Sequence, residues 1–206
     1  MQSKEHWNRV YSTKPTDGVS WYQEHAAQSL QFIQATNVPA SASIIDVGGG
    51  ASTLTDDLLA AGYWNITVLD LAAAALAAAK SRLGERAECV KWIEANITAA
   101  ELPQHGFDIW HDRAVFHFLT SPHDRHNYVK AVLHAVKPRG HVIVATFAED
   151  GPTQCSGLPV MRYNADELHA EFGTPFQLVR HERETHSTPF GTIQKFVYCY
   201  CRKAAS

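Results

Sequence analysis

The chain has 206 residues, 45% of them hydrophobic, which suits one soluble globular domain with a single large core. It carries 18 Lys and Arg against 21 Asp and Glu, a formal charge of −3, with no long basic run. This composition excludes collagen-like, coiled-coil and disordered chains, and it lacks the cationic face that attracts nucleic acid or anionic membranes. No run of about 18 apolar residues and no signal-peptide pattern occurs, so we expect a cytoplasmic protein without a membrane span.

The cysteines and histidines give no metal-binding pattern. No two of the four cysteines have CxxC spacing, and the histidines from His123 to His186 show no HxxxH or HxH spacing. Cys199 and Cys201 are two apart and would share one face of a strand. We therefore expect four free thiols, the others being Cys89 and Cys155, and no metal.

Strand-like and helix-like segments alternate through the middle of the chain. Four apolar runs that end in glycine or polar residues predict strands at residues 43–47, 65–70, 89–94 and 107–110. Leucines at helical spacing and an alanine-rich run predict helices at residues 53–61 and 72–82. This alternation is typical of βαβ units and therefore of a parallel sheet.

The last third of the chain changes character. A helix predicted over residues 125–136 ends where Pro138 and Gly140 stop it, and a strand is predicted at 141–147. A glycine and proline loop at 151–159 and a short helix at 164–172 follow. Strands at 176–186 and 192–202 then form a predicted hairpin. We expect one α/β domain over residues 1–206, made of an N-terminal helical lid segment, 1–38, and a core, 39–206.

The first predicted strand runs directly into a glycine turn. Gly48, Gly49 and Gly50 permit positive φ and allow a ligand to approach the backbone where the following helix offers free N–H groups. Asp70 ends the second strand, where a carboxylate can accept both hydrogen bonds of a ribose diol. The pattern predicts a nucleotide-type ligand at this edge of the sheet.

A nicotinamide cofactor is the competing ligand. Its G-x-G-x-x-G fingerprint is met by Gly48 and Gly50 but not by Thr53 at the third glycine position. Asp46, two residues before the first glycine, also favours a cationic group over a pyrophosphate. Both observations disfavour an oxidoreductase.

Residues 46–52 and Asp70 resemble the class I S-adenosylmethionine-dependent methyltransferases, in their glycine-rich first motif and in the acidic end of their second strand. The resemblance extends over residues 41–147. It implies a Rossmann-like, doubly wound seven-stranded sheet, mostly parallel, with an antiparallel C-terminal hairpin strand. It also implies S-adenosylmethionine as the cofactor.

The same resemblance implies a set of cofactor contacts, with Asn96 standing where an aspartate is more usual. The implied contacts are Asp46, Gly48, Gly49, Gly50, Ser52, Asp70, Leu71, Asn96, Ile97, His111 and Trp21. Asp46, Asp70 and Asn96 each have a purely local alternative role, as a cap, a solvated strand end or a loop residue.

The catalytic candidates are His111, Asp112 and His117, which follow the fourth predicted strand. A methyl transfer needs the acceptor oriented in line with an activated sulfonium, and it needs a base only if the acceptor must lose a proton. Histidine suits that role near neutral pH. In the alternative, Asp112 caps the next helix or pairs with Arg113, and His117 packs among its phenylalanine neighbours.

The acceptor side is predicted from the aromatic N-terminal segment, in which Trp21 and Tyr22 form a candidate lid, and from the loop that contains Cys155. Similar aromatic pairs precede the core in methyltransferases acting on small thiols, metalloids and protein lysines. We expect methyl transfer to a small thiol, amine, hydroxyl or metalloid acceptor. A protein lysine is the alternative, and a non-catalytic nucleotide-ligand-binding module is the alternative from another class. We expect neither nucleic acid nor membrane as a partner, and a monomer or homodimer.

Overall fold

The protein folds around a seven-stranded sheet, in a computed structural model that describes residues 4–13 and 15–205. The strands are β1 (Ile44–Val47), β2 (Ile66–Asp70), β3 (Val90–Glu94), β4 (Phe107–Arg113), β5 (Val136–Phe147), β6 (Gln154–Cys155), β7 (Leu158–Pro159), β8 (Phe176–Ser187) and β9 (Ile193–Lys203). The helices are α1 (Lys4–Thr13), α2 (Ala27–Ala35), α3 (Leu54–Ala60), α4 (Ala73–Leu83), α5 (Pro122–Ala135) and α6 (Ala165–Phe172). The order in the sheet is β3-β2-β1-β4-β5-β9-β8, and β6 and β7 pair separately.

The sheet confirms the predicted fold class. β3, β2, β1, β4 and β5 pair in parallel, and β9 runs antiparallel between β5 and β8. Helices cover both faces, with α1 to α4 packed in one apolar cluster and α5 and α6 in the other. Because both faces are buried, the central strands are nearly continuous apolar runs, and a polar residue in them is exceptional.

Alternation along each strand decides which polar groups meet. In β1, Ile44 joins the face covered by α2 while Ile45 and Val47 join the opposite face, so Asp46 points to the α2 side. Asp46 lies opposite His111 in the β1–β4 register, which brings the two side chains together on that side. Trp110 and Asp112 lie on the other side, against α5.

The predicted elements are confirmed, with shifted ends. β4 continues to Arg113, three residues beyond its predicted end, so His111 and Asp112 lie inside the strand. α5 begins at Pro122, which suits the first turn of a helix, and β5 begins at Val136. The predicted loop at 151–159 contains the short β6–β7 ladder, and Asn164 caps α6 in a full capping box with Glu167.

Candidate functional site

Two adjoining cavities open at the carboxyl ends of β1, β2 and β4, where parallel α/β sheets bind ligands. Counting the space that is open to solvent, the larger spans about 980 Å³ and the smaller about 550 Å³. They share part of their walls: Tyr11, Trp21, Val47, Gly48 and Arg113. An elongated ligand can therefore occupy both.

The glycine turn forms the wall between β1 and α3, and it has no room for side chains. Gly48 has a φ of +71°, and a Cβ there would lie 2.0 Å from Val115. A Cβ on Gly49 would lie 2.1 Å from the Asp46 carboxylate, and one on Gly50 would lie 2.6 Å from the Asp70 carboxylate. All three glycines are thus required by the positions of two acidic side chains and Val115.

Asp70 lies at the end of β2 with its carboxylate anchored to the backbone. Oδ2 accepts from Gly50 N at 3.1 Å and Oδ1 from Ala72 N at 2.8 Å, and the side chain lines the larger cavity. Burial raises the pKa of Asp70 to about 6, against the lowering effect of these bonds. Each oxygen retains a lone pair, so the carboxylate can still accept the hydrogen bonds of a diol.

Tyr11 covers this carboxylate from α1. Burial, and then the nearby Asp70 charge, raise the pKa of the Tyr11 phenol well above its usual value. The hydroxyl therefore remains protonated at neutral pH.

Asp46 lines the smaller cavity and has one committed oxygen. Oδ1 lies 2.7 Å from His111 Nδ1, and Oδ2 is buried without a hydrogen-bond partner among the described residues. A buried carboxylate oxygen without a donor is costly. A ligand with a cationic or N–H group would satisfy it.

His111 is not available as a base. It is 2% exposed, its Nδ1 contacts Asp46, and its Nε2 lies 2.9 Å from Ser29 Oγ on α2. Both ring nitrogens are occupied, so His111 lines the smaller cavity without a free lone pair to offer an acceptor.

Asp112 and His117, which the sequence makes candidates for handling the acceptor, line neither cavity and have partners within the fold. Asp112 accepts from Val115 N, Phe116 N and the Tyr128 hydroxyl, at 2.8, 3.1 and 2.5 Å, because β4 ends in a tight turn whose N–H groups need acceptors. This is the capping alternative considered above.

His117 is fully buried, its Nδ1 accepts from Phe147 N at 3.3 Å, and its ring lies 4.4 Å from that of Phe118 between centroids. Burial lowers its pKa to about 3, so it is neutral and cannot act as the proton carrier near pH 7.

The remaining predicted contacts lie on the cavity walls. Leu71, Asn96 and Ile97 line the larger cavity and Ser52 the smaller. Asn96 Oδ1 accepts from Thr98 N at 3.1 Å, which is the loop role that was its alternative, and Ser52 Oγ accepts from Leu54 N at 3.1 Å.

The N-terminal aromatics form the outer wall of the larger cavity. The rings of Trp7 and Trp21 are 5.9 Å apart, those of Trp7 and Phe118 5.1 Å, and those of Tyr11 and Trp21 6.1 Å. These rings pack on each other and also face the cavity. The same residues therefore anchor the N-terminal segment on the core and line the site.

Arg113 holds the segment that carries Trp21. Its Nη2 lies 3.0 Å from Glu184 Oε2, Gln23 Nε2 donates to Glu184 Oε1 at 2.6 Å, and Nη1 reaches the Trp21 carbonyl at 3.5 Å. His186 Nε2 lies 2.8 Å from the Ser20 carbonyl and fixes the same segment from β8.

Sequence reasoning missed several cavity residues. Arg113 was considered only as a partner of Asp112, and Thr98, Val115, Thr120 and Asp124 were not considered. The extension of β4 past Trp110 is the signal that would have placed Arg113 on the cavity side, two residues beyond His111. Cys155 lines the larger cavity, and burial raises its pKa to about 12, so it is a neutral thiol.

No group of three potential metal-ligating side chains occurs among the described residues. In the same part of the chain no helix is both long enough and apolar enough to cross a membrane.

Comparison with known proteins agrees with this architecture. Residues 44–140 match the family model described as a methyltransferase domain. The match covers just under half of the chain, from β1 into β5, and shows that this segment, which includes the glycine turn, resembles a methyltransferase domain.

The chain is 26% identical to EEF1A lysine methyltransferase 2 of Danio rerio, over 94% of this chain and 82% of that protein. The fold is shared with the 1,6-didemethyltoxoflavin-N1-methyltransferase of Burkholderia thailandensis, with a TM-score of 0.66, 19% identity and coverage of 98% and 84%. It is also shared with a structure from a study of disulfide conversion to a thioacetal during echinomycin biosynthesis. The TM-score is 0.81, with 14% identity and coverage of 100% and 93%.

Proposed function

We propose that the protein transfers the methyl group of S-adenosylmethionine to a small-molecule acceptor bound in the larger cavity. The observation that carries the proposal is the pair of buried carboxylates, Asp46 and Asp70, on either side of a glycine turn that admits no side chain. When bound, the cofactor supplies an electrophilic methyl group on a sulfonium. Its ammonium, ribose diol and elongated shape suit the unpartnered oxygen of Asp46, the carboxylate of Asp70 and the two joined cavities.

Each part of the site has a role in this proposal. Asp70 holds the ribose, Asp46 the amino group, and Asn96 with Ile97 the adenine. The glycines allow close approach of the backbone. The aromatic wall formed by Trp7, Tyr11, Trp21 and Phe118 excludes water and orients the acceptor, and orientation is the main requirement of an in-line displacement.

The class of acceptor is narrowed by the lack of a free imidazole on the cavity walls. His111 is the only imidazole that lines either cavity among the described residues, and both its nitrogens are occupied. A neutral alcohol is a weak nucleophile until a base removes its proton, whereas a thiolate, a neutral amine or a metalloid anion can attack the methyl group without prior proton loss to the protein. The site therefore favours those acceptors over hydroxyls.

A protein lysine is the second candidate, favoured by a specific observation. Two curated relatives named EEF1A lysine methyltransferase 2, from Danio rerio and Homo sapiens, align with 94% and 93% of the chain. A lysine amine also belongs to the acceptors that the site favours once it is deprotonated.

The binding test is calorimetric titration with S-adenosylhomocysteine and with NAD. S-adenosylhomocysteine at 100 times its Kd should stabilise the protein by about 2.7 kcal/mol, and NAD should not. Asp70→Ala should weaken binding by about 1.5 to 3 kcal/mol, the range for hydrogen bonds to a charged group. Glu94→Ala is the matched control, because Glu94 ends the neighbouring strand opposite Asp70 but lies outside both cavities. A response to NAD alone would refute the proposal.

The acceptor test is a methyl-transfer screen with small thiols, amines, alcohols and metalloid anions beside lysine-containing proteins. Turnover of small thiols or amines supports the first candidate. Turnover of a protein lysine alone would replace it with the second. Binding without any turnover would favour a non-catalytic module.

A further inference from the structure

A chain of hydrogen-bonded, buried polar side chains runs between the sheet and α2, on the face of the sheet that α2 covers. His111 Nδ1 lies 2.7 Å from Asp46 Oδ1, His111 Nε2 lies 2.9 Å from Ser29 Oγ, and Ser29 Oγ lies 3.0 Å from the Tyr198 hydroxyl. The positive charge of the nearby Arg113 guanidinium partly offsets the burial that raises the pKa of Tyr198. Asp46, His111, Ser29 and Tyr198 are each at most 2% exposed. Four elements, β1, β4, α2 and β9, contribute to this chain.

The hydrogens in this chain can run in one direction. A carboxylate only accepts, so the Asp46 end is fixed and His111 Nδ1–H donates to Asp46 Oδ1. In a neutral imidazole Nε2 then accepts from Ser29, and Ser29 accepts from Tyr198. The chain is complete with His111 in its neutral Nδ1–H tautomer.

The arrangement contains a Ser–His–Asp sequence of contacts, but Ser29 is not placed to attack a substrate. Ser29 as a whole is 1% exposed, and its hydroxyl lies between His111 and Tyr198. Both its donor and one acceptor position are used within the chain. A nucleophile needs an open approach, which Ser29 lacks.

The hydrogen-bond chain exerts its effect at the Asp46 end. Asp46 Oδ1 is fixed by His111, and the other oxygen, Oδ2, is buried, lies beside Gly49 and has no hydrogen-bond partner among the described residues. A carboxylate held by one oxygen presents the other in one orientation. Unidirectional chains of hydrogen bonds also polarise each member and strengthen the terminal bond.

We propose that His111, Ser29 and Tyr198 are positioning residues that hold Asp46 so that its free oxygen meets the ammonium of the cofactor's amino-acid portion. This inference rests on the proposed function and adds to it the residues that orient the amine-binding carboxylate. None of the three touches the reacting atoms. Their effect is on affinity for ligands that carry the amino group.

Two ligands separate this role from a general structural one. S-adenosylhomocysteine carries the amino-acid portion, whereas 5′-methylthioadenosine shares its adenine, ribose and sulfur but lacks the amine. Ser29→Ala and Tyr198→Phe should each weaken S-adenosylhomocysteine binding about three- to tenfold, the equivalent of one net hydrogen bond, and leave 5′-methylthioadenosine within about twofold of the parent.

Tyr200→Phe is the matched control. Tyr200 lies two residues from Tyr198 on β9, contacts the same Phe32 ring, and its hydroxyl lies 2.7 Å from His141 Nδ1, outside both cavities. Tyr200→Phe removes one tyrosine hydroxyl and its hydrogen bond, as Tyr198→Phe does, and should bind both ligands as the parent does. Thermal unfolding of every variant shows that binding is compared between folded proteins.

The outcomes are distinct. A selective loss of S-adenosylhomocysteine affinity in Ser29→Ala and Tyr198→Phe supports the proposal. Equal losses for both ligands, or the same loss in Tyr200→Phe, would overturn it while leaving the proposed function intact. A parent chain that binds neither ligand would overturn the proposed function and this inference together.

Discussion

Replacing Asp70 with Asn should flatten the pH dependence of the ligand-free protein's stability. Burial raises the pKa of Asp70 from 3.8 to about 6 in the folded state. A carboxyl with a raised folded pKa stabilises the fold while protonated, so its contribution is complete below pH 3.8 and is lost as the pH rises through about 6. At about 1.36 kcal/mol per pKa unit, the free energy of unfolding should fall by about 2 to 3 kcal/mol between pH 4 and pH 7 because of this group.

The comparison between parent and Asp70→Asn isolates that contribution. Asn cannot accept from both Gly50 N and Ala72 N, so the variant also loses hydrogen-bond energy, but that loss does not depend on pH. Asp112, whose pKa is also raised to about 6 by burial, affects both proteins equally and cancels.

Urea unfolding at half-unit pH steps from 4 to 7 measures the difference in slope. Parallel curves for the two proteins would refute the reasoning, because they would mean that Asp70 titrates as an ordinary solvated carboxyl.

The same group should make ligand binding depend on pH. A ribose diol donates to the ionised carboxylate, so affinity for S-adenosylhomocysteine and for 5′-methylthioadenosine should rise as the pH increases through about 6 in the parent. Both ligands carry the ribose, and the dependence should disappear for both in Asp70→Asn. Titration calorimetry at pH 5 and pH 7.5 is the measurement, and a dependence that survives the substitution would assign it to another group.

Three further outcomes are expected. Gly50→Val should abolish S-adenosylhomocysteine binding in calorimetry, because a Cβ at residue 50 would lie 2.5 Å from Ala75 Cβ and 2.6 Å from the Asp70 carboxylate. Retained binding would mean that the glycine turn has room for a side chain. Tyr128→Phe should lower the free energy of unfolding by about 1 to 3 kcal/mol, since it leaves buried Trp110 Nε1 and Asp112 without their shared partner, and it should leave turnover of the folded protein unchanged. Removing residues 1–22 should reduce acceptor turnover by at least about tenfold and cofactor affinity less, because closure excludes water; unchanged kinetics would return the aromatics to a packing role only.

The strands and their connections could be predicted because both faces of this sheet are buried. Apolar runs such as the one before Asp46, and the glycine turn that ends it, mark buried parallel strands without reference to distant residues. The residues at which strands end could be predicted less well. The sequence predicts that β4 ends at Trp110 because His111, Asp112 and Arg113 are polar. In the structure His111 and Asp112 are buried and Arg113 is partly buried, and each has partners outside the strand.

The candidate site, too, contains residues that local sequence patterns predict and residues that they do not. The first motif and Asp70 are local patterns, and the structure brings them to one pair of cavities. The partners of His111 are Ser29 and Asp46, 82 and 65 residues away in the chain, and no local pattern pairs them. Polar residues inside a buried strand indicate that partners exist, but the partners are supplied by the tertiary fold.

Arg113 shows how the acceptor side and the cofactor side are joined. Its guanidinium lines both cavities, pairs with Glu184, and reaches the carbonyl of Trp21, whose ring forms part of the aromatic wall. The Tyr198 hydroxyl, whose hydrogen bond to Ser29 begins the chain that ends at Asp46, lies near the same guanidinium. A largely buried ion pair seldom adds much stability, because desolvation of the two charges offsets their attraction. A cation that is held between the N-terminal segment and the glycine turn is better explained by the geometry that it fixes on both sides of the proposed site.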